Sequence, residues 1–223
     1  MIEFGIKELD ESLGGVDFRK NILISGTKFS GKEKLLYRII NNWVTKSPSL
    51  GVVYLLTRTS YNDLLNELNT SGILISSKLG SEFKLIDSFT RTVSPSAQEP
   101  SFAKLVNGPL DLTSISVNLS LLDGDLIKNM KIPVNVYDSI SVLLLYNPPA
   151  TTFRFIQFMC GRTKILGGIS LFLIDEDMHS QQVNETIRSL VDGVIELKEE
   201  NGKRYFRGSG TIKDSIDWKE ISI

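Results

Sequence analysis

Short apolar, β-prone segments alternate with longer segments of helical periodicity along this chain, and the alternation constrains its fold more than any other feature. Apolar runs of strand length lie at 21–25, 52–56, 83–86, 134–138 and 169–174. Apolar residues at helical spacing lie at 35–43, 61–68, 113–130, 152–165 and 183–191. Strands that alternate with helices indicate βαβ units. We therefore predict an α/β fold with a central, mostly parallel sheet flanked by helices.

The C-terminal part of the chain predicts a different connection. The residues Glu200-Asn201-Gly202-Lys203 separate two strand-like runs at 194–198 and 205–207. An Asn-Gly pair in this position is the strongest short-range signal for a hairpin. We therefore predict that a C-terminal antiparallel hairpin is added to the parallel sheet, with a last strand at 218–223.

Residues 90–110 interrupt the periodicity in the middle of the chain. They are rich in Ser, Pro and Gly and show neither helical nor strand spacing. A loop of this length inside a compact domain is functional or mobile. We expect an aperiodic loop here, and the order of the strands in the sheet does not follow from the pattern.

Composition limits the classes of protein to which the chain can belong. Its 223 residues and formal net charge of −1 suit one domain, residues 1–223, and argue against a dedicated nucleic-acid binder. The single cysteine excludes an intrachain disulfide, and the single histidine excludes a metal site built from several histidines. No apolar run approaches the roughly 18 residues that a membrane helix needs. We therefore expect a cytoplasmic protein without a metal centre or a membrane partner.

A glycine-bounded turn between the first predicted strand and the first predicted helix is the main candidate binding site. It reads Gly26-Thr27-Lys28-Phe29-Ser30-Gly31-Lys32-Glu33. This fits the phosphate-loop pattern G-x-x-x-x-G-K up to the last position, which is normally Ser or Thr. In a phosphate loop, glycines let backbone N–H groups surround an anion, the lysine reaches the terminal phosphates, and the hydroxyl ligates Mg²⁺. The preceding strand and the following helix provide the context that this pattern requires.

The glutamate at the last position, Glu33, changes the chemistry of the loop. A carboxylate in the first turn of a helix interacts with the partial positive charge that normally holds phosphate, and it repels a nucleotide. It can bind Mg²⁺, but not from the place of a Ser or Thr oxygen. Two interpretations stay open: a helix stabiliser in a loop no longer used for ATP, or weakened nucleotide binding.

Carboxylates also follow two other predicted strands. Asp87 ends the third strand, and Asp175-Glu176-Asp177 follow the fifth. Because the carboxyl ends of parallel strands face the ligand crevice in such folds, these groups could hold a cation. A solvated acidic loop is the interpretation that we favour. Cys160 lies among apolar residues of a predicted helix and is expected to be a small core residue.

A second, longer pattern surrounds the loop. Residues 5–15 read Gly5-Ile6-Lys7-Glu8-Leu9-Asp10-Glu11-Ser12-Leu13-Gly14-Gly15, and later landmarks are Asp138-Ser139, Gly161-Arg162, Gly168 and the run 192–197. These positions resemble the KaiC-like members of the RecA superfamily, in which a G-[IV]-x-x-L-D-x-x-L-G-G leader precedes the phosphate-loop strand. The resemblance covers nearly the whole chain and is weakest between residues 90 and 112. It implies a RecA-like P-loop NTPase core, with ATP bound between the subunits of rings or filaments.

The resemblance also implies roles for individual residues. Lys32 matches the phosphate-binding lysine, and Asp138 matches the acid that ends the Walker B strand and orients Mg²⁺; a strand-terminal Asp that makes a turn is the alternative. Glu33 departs from the family's Ser or Thr, so the Walker A loop is degenerate. Arg58 and Thr59 stand where the family has paired glutamates, one of which activates water, unless the alignment shifts by a residue or two. Neither side chain is a base at neutral pH, so we predict no catalytic residue, and ATP and Mg²⁺ stay open as ligands.

Three functions follow from these residues. The first, which we favour, is a non-catalytic pseudo-ATPase that acts as a binding, regulatory or signalling protein and engages a protein or peptide partner or assembles with itself. An open sheet edge gives such a protein a physical route to a partner. The second is an atypical, weak ATPase or a nucleotide sensor. The third is a recombinase-like DNA-binding protein.

Charge makes the DNA-binding function the weakest of the three. The predicted hairpin carries a small basic patch that is balanced by nearby glutamates, namely Lys203, Arg204 and Arg207 against Glu196, Glu199 and Glu200. The net charge of the whole chain adds no excess of positive charge. We therefore expect no nucleic-acid partner.

Overall fold

Nine strands form one sheet in the described part of the computed structural model, which comprises residues 1–73, 75–210 and 216–223. In chain order they are β1 (Lys20–Gly26), β2 (Leu50–Leu56), β3 (Phe83–Asp87), β4 (Ala103–Leu105), β5 (Ile132–Asp138), β6 (Ile169–Asp175), β7 (Gly193–Glu200), β8 (Lys203–Gly210) and β9 (Ile216–Ile221). They lie in the order β4-β3-β2-β5-β6-β1-β7-β8-β9. The strands β1 to β7 are parallel, whereas β8 is antiparallel to β7 and β9 is antiparallel to β8. The predicted fold class, including the C-terminal antiparallel hairpin, is confirmed.

Helices cover both faces of this sheet. They are α1 (Lys7–Leu13), α2 (Lys32–Lys46), α3 (Tyr61–Thr70), α4 (Thr90–Val93), α5 (Leu112–Lys128), α6 (Ile140–Tyr146), α7 (Pro149–Leu166) and α8 (Gln181–Leu190). The helices α1, α2 and α3 contribute to the hydrophobic core on one face, and α5 to α8 contribute to the core on the other. Within the described residues, no helix is long and apolar enough to cross a lipid bilayer.

The central strands are buried on both faces, which explains their continuous apolar runs. Every residue of β2 is buried. Its residues Val52 and Tyr54 belong to the core that contains α2, whereas Val53 and Leu55 belong to the core that contains α5. A sheet covered by helices on both faces therefore needs apolar side chains at successive positions rather than at alternate ones.

The predicted hairpin is present and has the turn chemistry that its sequence requires. The strands β7 and β8 pair from Gly193 opposite Gly210 to Glu200 opposite Lys203. The two turn residues between them have positive φ angles, 54° at Asn201 and 75° at Gly202. Two-residue hairpin turns that match the twist of the strands need positive φ at both positions, and Asn-Gly adopts them at low cost.

Residues 90–110 contain regular structure that the sequence does not predict. The short helix α4 begins at Thr90, whose backbone N–H and hydroxyl donate to the Asp87 carboxylate at 2.7 and 2.6 Å. The strand β4 pairs in parallel with β3 at one edge of the sheet. A single helical turn and a three-residue strand are too short to show a period. The expectation of a wholly aperiodic loop is therefore wrong.

Two other short helices also lie outside the sequence prediction. The helix α1 lies within the leader, where the Asp10 carboxylate accepts the backbone N–H groups of Phe4, Gly5 and Ile6 at 2.6, 2.9 and 3.1 Å. The helix α6 has seven residues and is apolar at every position except Ser141. A helix of two turns that is apolar on all sides has no hydrophobic period to detect.

The carboxyl ends of the parallel strands meet at one edge of the sheet. The last residue of β1, Gly26, lies opposite Asp175 at the end of β6. The last residue of β2, Leu56, lies opposite Asp138 at the end of β5. Side chains at and just beyond these strand ends therefore converge on the start of α2.

Candidate functional site

The candidate loop connects β1 to α2 through a tight turn that depends on its two glycines. The Ser30 N–H donates to the Thr27 carbonyl at 3.2 Å. Gly31 caps α2 with a φ of 90°, and a Cβ there would lie 2.7 Å from the Arg204 side chain. A Cβ at Gly26 would lie 2.5 Å from the Ser30 hydroxyl. Both glycines thus allow the close approach of other parts of this same chain.

The eight candidate loop residues divide into an exposed tip and a buried base. Thr27, Lys28 and Phe29 form the tip, where 75% of the Phe29 side chain is exposed. The Lys28 ammonium lies 5.6 Å from the centre of the Phe29 ring. Ser30 is buried, and its hydroxyl has no hydrogen-bond partner among the described residues. The tip is therefore free of the packing that fixes the base.

Lys32, the residue that matches the phosphate-binding lysine, is fully buried and already bound to two carboxylates. Its Nζ lies 2.7 Å from Asp175 Oδ1 and 3.1 Å from Glu33 Oε1. It also donates a hydrogen bond to the Thr27 carbonyl at 3.0 Å. An ammonium group has three donors, so these contacts use all of them.

Asp138, the residue that matches the magnesium-orienting acid, has partners on both oxygens of its carboxylate. Its Oδ1 lies 2.8 Å from Arg58 Nη2 and accepts a hydrogen bond from Arg58 Nε at 3.0 Å. Its Oδ2 accepts a hydrogen bond from the Tyr54 hydroxyl at 2.7 Å. Burial raises the pKa of Asp138, while Arg58 and Tyr54 stabilise its charged form. Burial likewise raises the pKa of Tyr54, so its hydroxyl stays a donor.

Arg58 connects the carboxylate of Asp138 to the carboxylate of Glu33. Besides Asp138, it contacts Glu33, with Nη1 3.4 Å from Glu33 Oε1. Although burial disfavours the charged guanidinium, Asp138 and Glu33 raise the pKa of Arg58 above its ordinary value. The preceding residue, Thr57, holds the strand end in place, because its N–H and hydroxyl both donate to the Asp138 carbonyl at 2.9 and 3.1 Å.

The five charged residues form one continuous group, which we call the loop ion-pair chain: Asp175, Lys32, Glu33, Arg58 and Asp138. Neighbouring members lie 2.7 to 3.4 Å apart. They come from the ends of β5 and β6, the start of α2 and the segment just after β2. Three carboxylates and two cations therefore neutralise most of one another's charge inside the site.

Two of the acidic residues after the predicted strands, Asp175 and Asp87, are buried, whereas Asp177 is exposed as the favoured interpretation predicts. Asp175 is only 5% exposed and binds Lys32, so the expectation that it belongs to a solvated loop is wrong. Asp87 is fully buried and accepts the backbone N–H groups of Tyr61, Phe89 and Thr90 at 2.8, 2.8 and 2.7 Å. Asp87 is therefore bound by backbone groups at the starts of α3 and α4.

Arg58 and Thr59, the two residues that the resemblance aligns with the paired glutamates, have different surroundings. Arg58 belongs to the loop ion-pair chain, whereas the Thr59 hydroxyl donates to Asp63 at 3.4 Å. Asp63 is the next acidic residue along the sequence. Its carboxylate accepts a hydrogen bond from the Ser60 hydroxyl at 2.6 Å, and its own N–H donates to that hydroxyl at 3.1 Å. Ser60 thus caps α3, and the Asp63 carboxylate holds the capping hydroxyl.

The hairpin arginines and lysine are paired as well. Lys203 lies 2.9 Å from Glu220, Arg204 lies 3.9 Å from Glu199, and Arg207 lies 2.8 Å from Glu196. Each positive charge of the small basic patch therefore has a carboxylate neighbour.

The residues at the loop do not fit a magnesium-bound nucleotide held as a phosphate loop normally holds it. Lys32 and Asp138 are both engaged with other residues of the chain. Glu33 places a carboxylate, rather than a hydroxyl, in the first turn of α2. A cleft of about 550 Å³ opens beside the loop, with Lys34 and Arg204 among its lining residues. Space for a ligand is present, but the groups that would hold its phosphates and metal are occupied.

Solved structures with the same architecture share the fold at low sequence identity. The flagellar accessory protein FlaH of Methanocaldococcus jannaschii is 17% identical, with a TM-score of 0.66, over 93% of this chain and 84% of that one. A KaiC-like protein of Pyrococcus horikoshii is 17% identical, with a TM-score of 0.73, over 100% of this chain and 94% of that one. An uncharacterised protein of the same organism is 14% identical, with a TM-score of 0.72 and complete coverage of both chains.

The sequence itself identifies the family. No curated protein is detectably similar in sequence. The model of the family described as "ATPase: KaiC" matches residues 2–213. This match includes the leader, the loop and all members of the loop ion-pair chain, and it agrees with the RecA-like fold. The chain therefore belongs to the KaiC-like ATPase family.

Proposed function

We propose that this chain is a non-catalytic member of its family, a pseudo-ATPase that acts in the cytoplasm as a binding or regulatory protein. The loop ion-pair chain is the observation that carries the proposal. Within it, Glu33 pairs with Lys32, which matches the phosphate-binding lysine. Arg58 pairs with Asp138, which matches the magnesium-orienting acid, and also contacts Glu33. The position of the water-activating base is held by Arg58 or Thr59, which cannot accept a proton at neutral pH.

The energy needed to open the loop ion-pair chain supports the same proposal. Removing one partner from a buried ion pair costs about 3–5 kcal/mol, because the other charge is left uncompensated. Because 33% of the Arg58 side chain is exposed, the lower value is appropriate for its pair with Asp138. A cost of about 3 kcal/mol weakens a dissociation constant by roughly a hundredfold. Repulsion between Glu33 and a nucleotide's phosphates adds to this cost, so a ligand that must open the site binds weakly.

The proposed partner is a protein or a peptide, or a second copy of this chain. The uncharacterised Pyrococcus horikoshii protein with the same fold was crystallised in complex with an unknown peptide. In the described sheet, β4 and β9 are the edge strands, and β9 is the longer of the two. An exposed strand edge offers backbone donors and acceptors to an extended peptide. This supports a peptide as the partner and β9 as a surface on which to seek it.

The proposed lack of catalysis is tested by measuring ATP hydrolysis with Mg²⁺ present. We expect turnover by the purified protein to equal that of a buffer blank, and the Lys32→Ala variant to give the same value. Turnover that exceeds the blank and disappears in Lys32→Ala contradicts the proposal, because it requires a working phosphate lysine.

A nucleotide sensor is the second candidate, and the cleft beside the loop favours it. Four basic residues line this cleft, namely Lys28, Lys34, Arg58 and Arg204. Calorimetric titration with ATP, with and without Mg²⁺, separates the two candidates. Binding in the micromolar range without turnover supports the nucleotide sensor. No binding at millimolar ATP supports the non-catalytic binding or regulatory protein. DNA binding stays the weakest candidate, since the hairpin patch is paired with glutamates.

A further inference from the structure

The Arg58 guanidinium lies between the two positions that hold Mg²⁺ in a working phosphate loop. One of these positions is the acid at the end of the Walker B strand, Asp138. The other is the residue after the phosphate lysine, which supplies a hydroxyl to the metal in a phosphate loop and is Glu33 in this chain. Arg58 Nη2 lies 2.8 Å from Asp138 Oδ1, and Arg58 Nη1 lies 3.4 Å from Glu33 Oε1.

We propose that Arg58 is a built-in cation that replaces the divalent metal of this fold, so that the wild-type chain takes up no divalent cation at the loop. The inference rests on the proposed function, because a non-catalytic chain has no need of an exchangeable metal. It goes further by assigning the exclusion of the metal to residue 58, rather than to the missing hydroxyl at position 33 alone.

The occupancy of the carboxylate oxygens is the first step of the argument. Both oxygens of Asp138 are used, Oδ1 by two nitrogens of Arg58 and Oδ2 by the Tyr54 hydroxyl. Glu33 Oε1 is shared between Arg58 and Lys32. A metal bound to Asp138 or to Glu33 Oε1 would have to displace these donors, and the planar fork of a guanidinium is well suited to joining two carboxylates.

The balance of charge is the second step. With Arg58 in place, the loop ion-pair chain holds three carboxylates and two cations. Without it, Glu33, Asp138 and Asp175 would be opposed by Lys32 alone. Carboxylate oxygens are the ligands that Mg²⁺, Mn²⁺ and Ca²⁺ prefer. Asp138 is only 1% exposed, and a buried carboxylate requires either a cation or a proton. Removal of Arg58 should therefore turn this group into a divalent-cation site.

The test uses Mn²⁺ as the probe and Arg58→Ala as the variant. Mn²⁺ binding is measured by calorimetry and by electron paramagnetic resonance, and the unfolding midpoint is measured with and without Mn²⁺. We expect wild type to show no binding and no shift of its midpoint. Arg58→Ala should bind one Mn²⁺, at least about tenfold more tightly than the weakest binding that the measurement detects, since a nearby positive charge has been removed, and Mn²⁺ should raise its midpoint.

A matched control is Lys34→Ala, which removes one positive charge from an exposed residue that lines the same cleft. It should behave as wild type, because Lys34 does not join the site carboxylates. The second variant, Arg58→Lys, keeps a positive charge without the guanidinium fork and should bind Mn²⁺ more weakly than Arg58→Ala does.

Two results overturn the inference. One is Mn²⁺ binding by wild type that is as tight as binding by Arg58→Ala. The other is an Arg58→Ala protein whose midpoint, however low, is not raised by Mn²⁺. Either result can occur without any ATP turnover, so the inference can fail while the proposed function stands. Conversely, Lys32-dependent turnover would contradict the proposed function whatever the metal titration shows.

Discussion

The chemistry of the candidate site depends on what side chain stands at position 58. An acidic residue at the end of this strand would face a buried aspartate across two neighbouring strands and repel it. Arg58 instead forms an ion pair with Asp138, at 2.8 Å. An arginine at this position therefore offers no base and stabilises the buried acid.

Tyr54 is a sensitive test of how far Asp138 depends on its partners. Its fully buried hydroxyl donates to Asp138 Oδ2 at 2.7 Å. A hydrogen bond to a charged group contributes about 1.5–3 kcal/mol, so Tyr54→Phe should lower the free energy of unfolding by about 2 kcal/mol. Denaturant titration measures the change.

The matched control for this prediction is Tyr61→Phe. The Tyr61 hydroxyl has no hydrogen-bond partner among the described residues, and its ring packs edge-on against Phe102 at 5.7 Å. Tyr61→Phe should change stability by less than about 0.5 kcal/mol. An equal loss in the two variants would show that the Tyr54 hydroxyl adds nothing to the binding of Asp138.

At the scale of single elements, the sequence predicts the strands and helices whose packing on the core gives them a regular apolar pattern, and it misses the short elements. Continuous apolar runs locate β2 and β6 because helices cover both faces of the sheet there. The seven-residue helix α6 and the three-residue strand β4 carry no detectable period. The hairpin is predictable because the backbone requirement of its turn falls on two particular residues, Asn201 and Gly202.

Two glycines test the backbone argument for these elements. A Cβ at Gly202 or at Gly161 would meet no atom within 4 Å, so packing plays no part in either replacement. Gly202 has a φ of 75°, which costs a residue with a side chain about 1–2 kcal/mol. Gly202→Ala should therefore destabilise the protein by about 1 kcal/mol. Gly161→Ala, inside α7, should stabilise it by roughly 0.5–1 kcal/mol.

Thermal and denaturant unfolding of both variants measure these opposite effects. If Gly202→Ala were as stable as wild type, the turn would not need the left-handed conformation. If Gly161→Ala were destabilising, the added methyl group would meet an atom, which contradicts the open space beside Gly161.

The single cysteine reports on the packing of α7. Cys160 is buried in the core, as the sequence predicts, and burial raises the pKa of its thiol to about 12. Since an ordinary cysteine has a pKa near 8.5, the thiolate fraction at pH 8 should fall by roughly a thousandfold. We expect reaction with a disulfide reagent to be slow in the native protein and fast in denaturant. Fast reaction under native conditions would contradict the burial of Cys160.

For the whole molecule, the site depends on strand order, which no local pattern in the sequence contains. Asp175 lies beside the loop because β6 is the neighbour of β1, with Gly26 opposite Asp175. Asp138 lies beside Arg58 because β5 is the neighbour of β2, with Leu56 opposite Asp138. The loop, Lys32 and Asp138 were predictable from motif and resemblance. The pairing of Asp175 with Lys32 and the bridging role of Arg58 were not, because both follow from long-range strand pairing.

The response of overall stability to nucleotide tests the site in the context of the whole fold. A ligand at a thousand times its dissociation constant stabilises a protein by about 4 kcal/mol. For a domain of this size, that corresponds to a rise of roughly 8–16 °C in the unfolding midpoint. We expect millimolar Mg-ATP to leave the midpoint of wild type unchanged within about 1 °C, because Lys32 and Asp138 are engaged within the loop ion-pair chain.

A double variant that restores the metal-binding groups is expected to respond to Mg-ATP, in contrast to wild type. Glu33→Thr combined with Arg58→Ala returns a hydroxyl to the first turn of α2 and frees Asp138 Oδ1. Differential scanning fluorimetry of this variant should show a midpoint that rises with Mg-ATP and does not rise with ATP in the presence of a chelator. A large rise in wild type would show that nucleotide opens the loop ion-pair chain. No rise in the restored variant would mean that Glu33 and Arg58 are not what prevents nucleotide from binding.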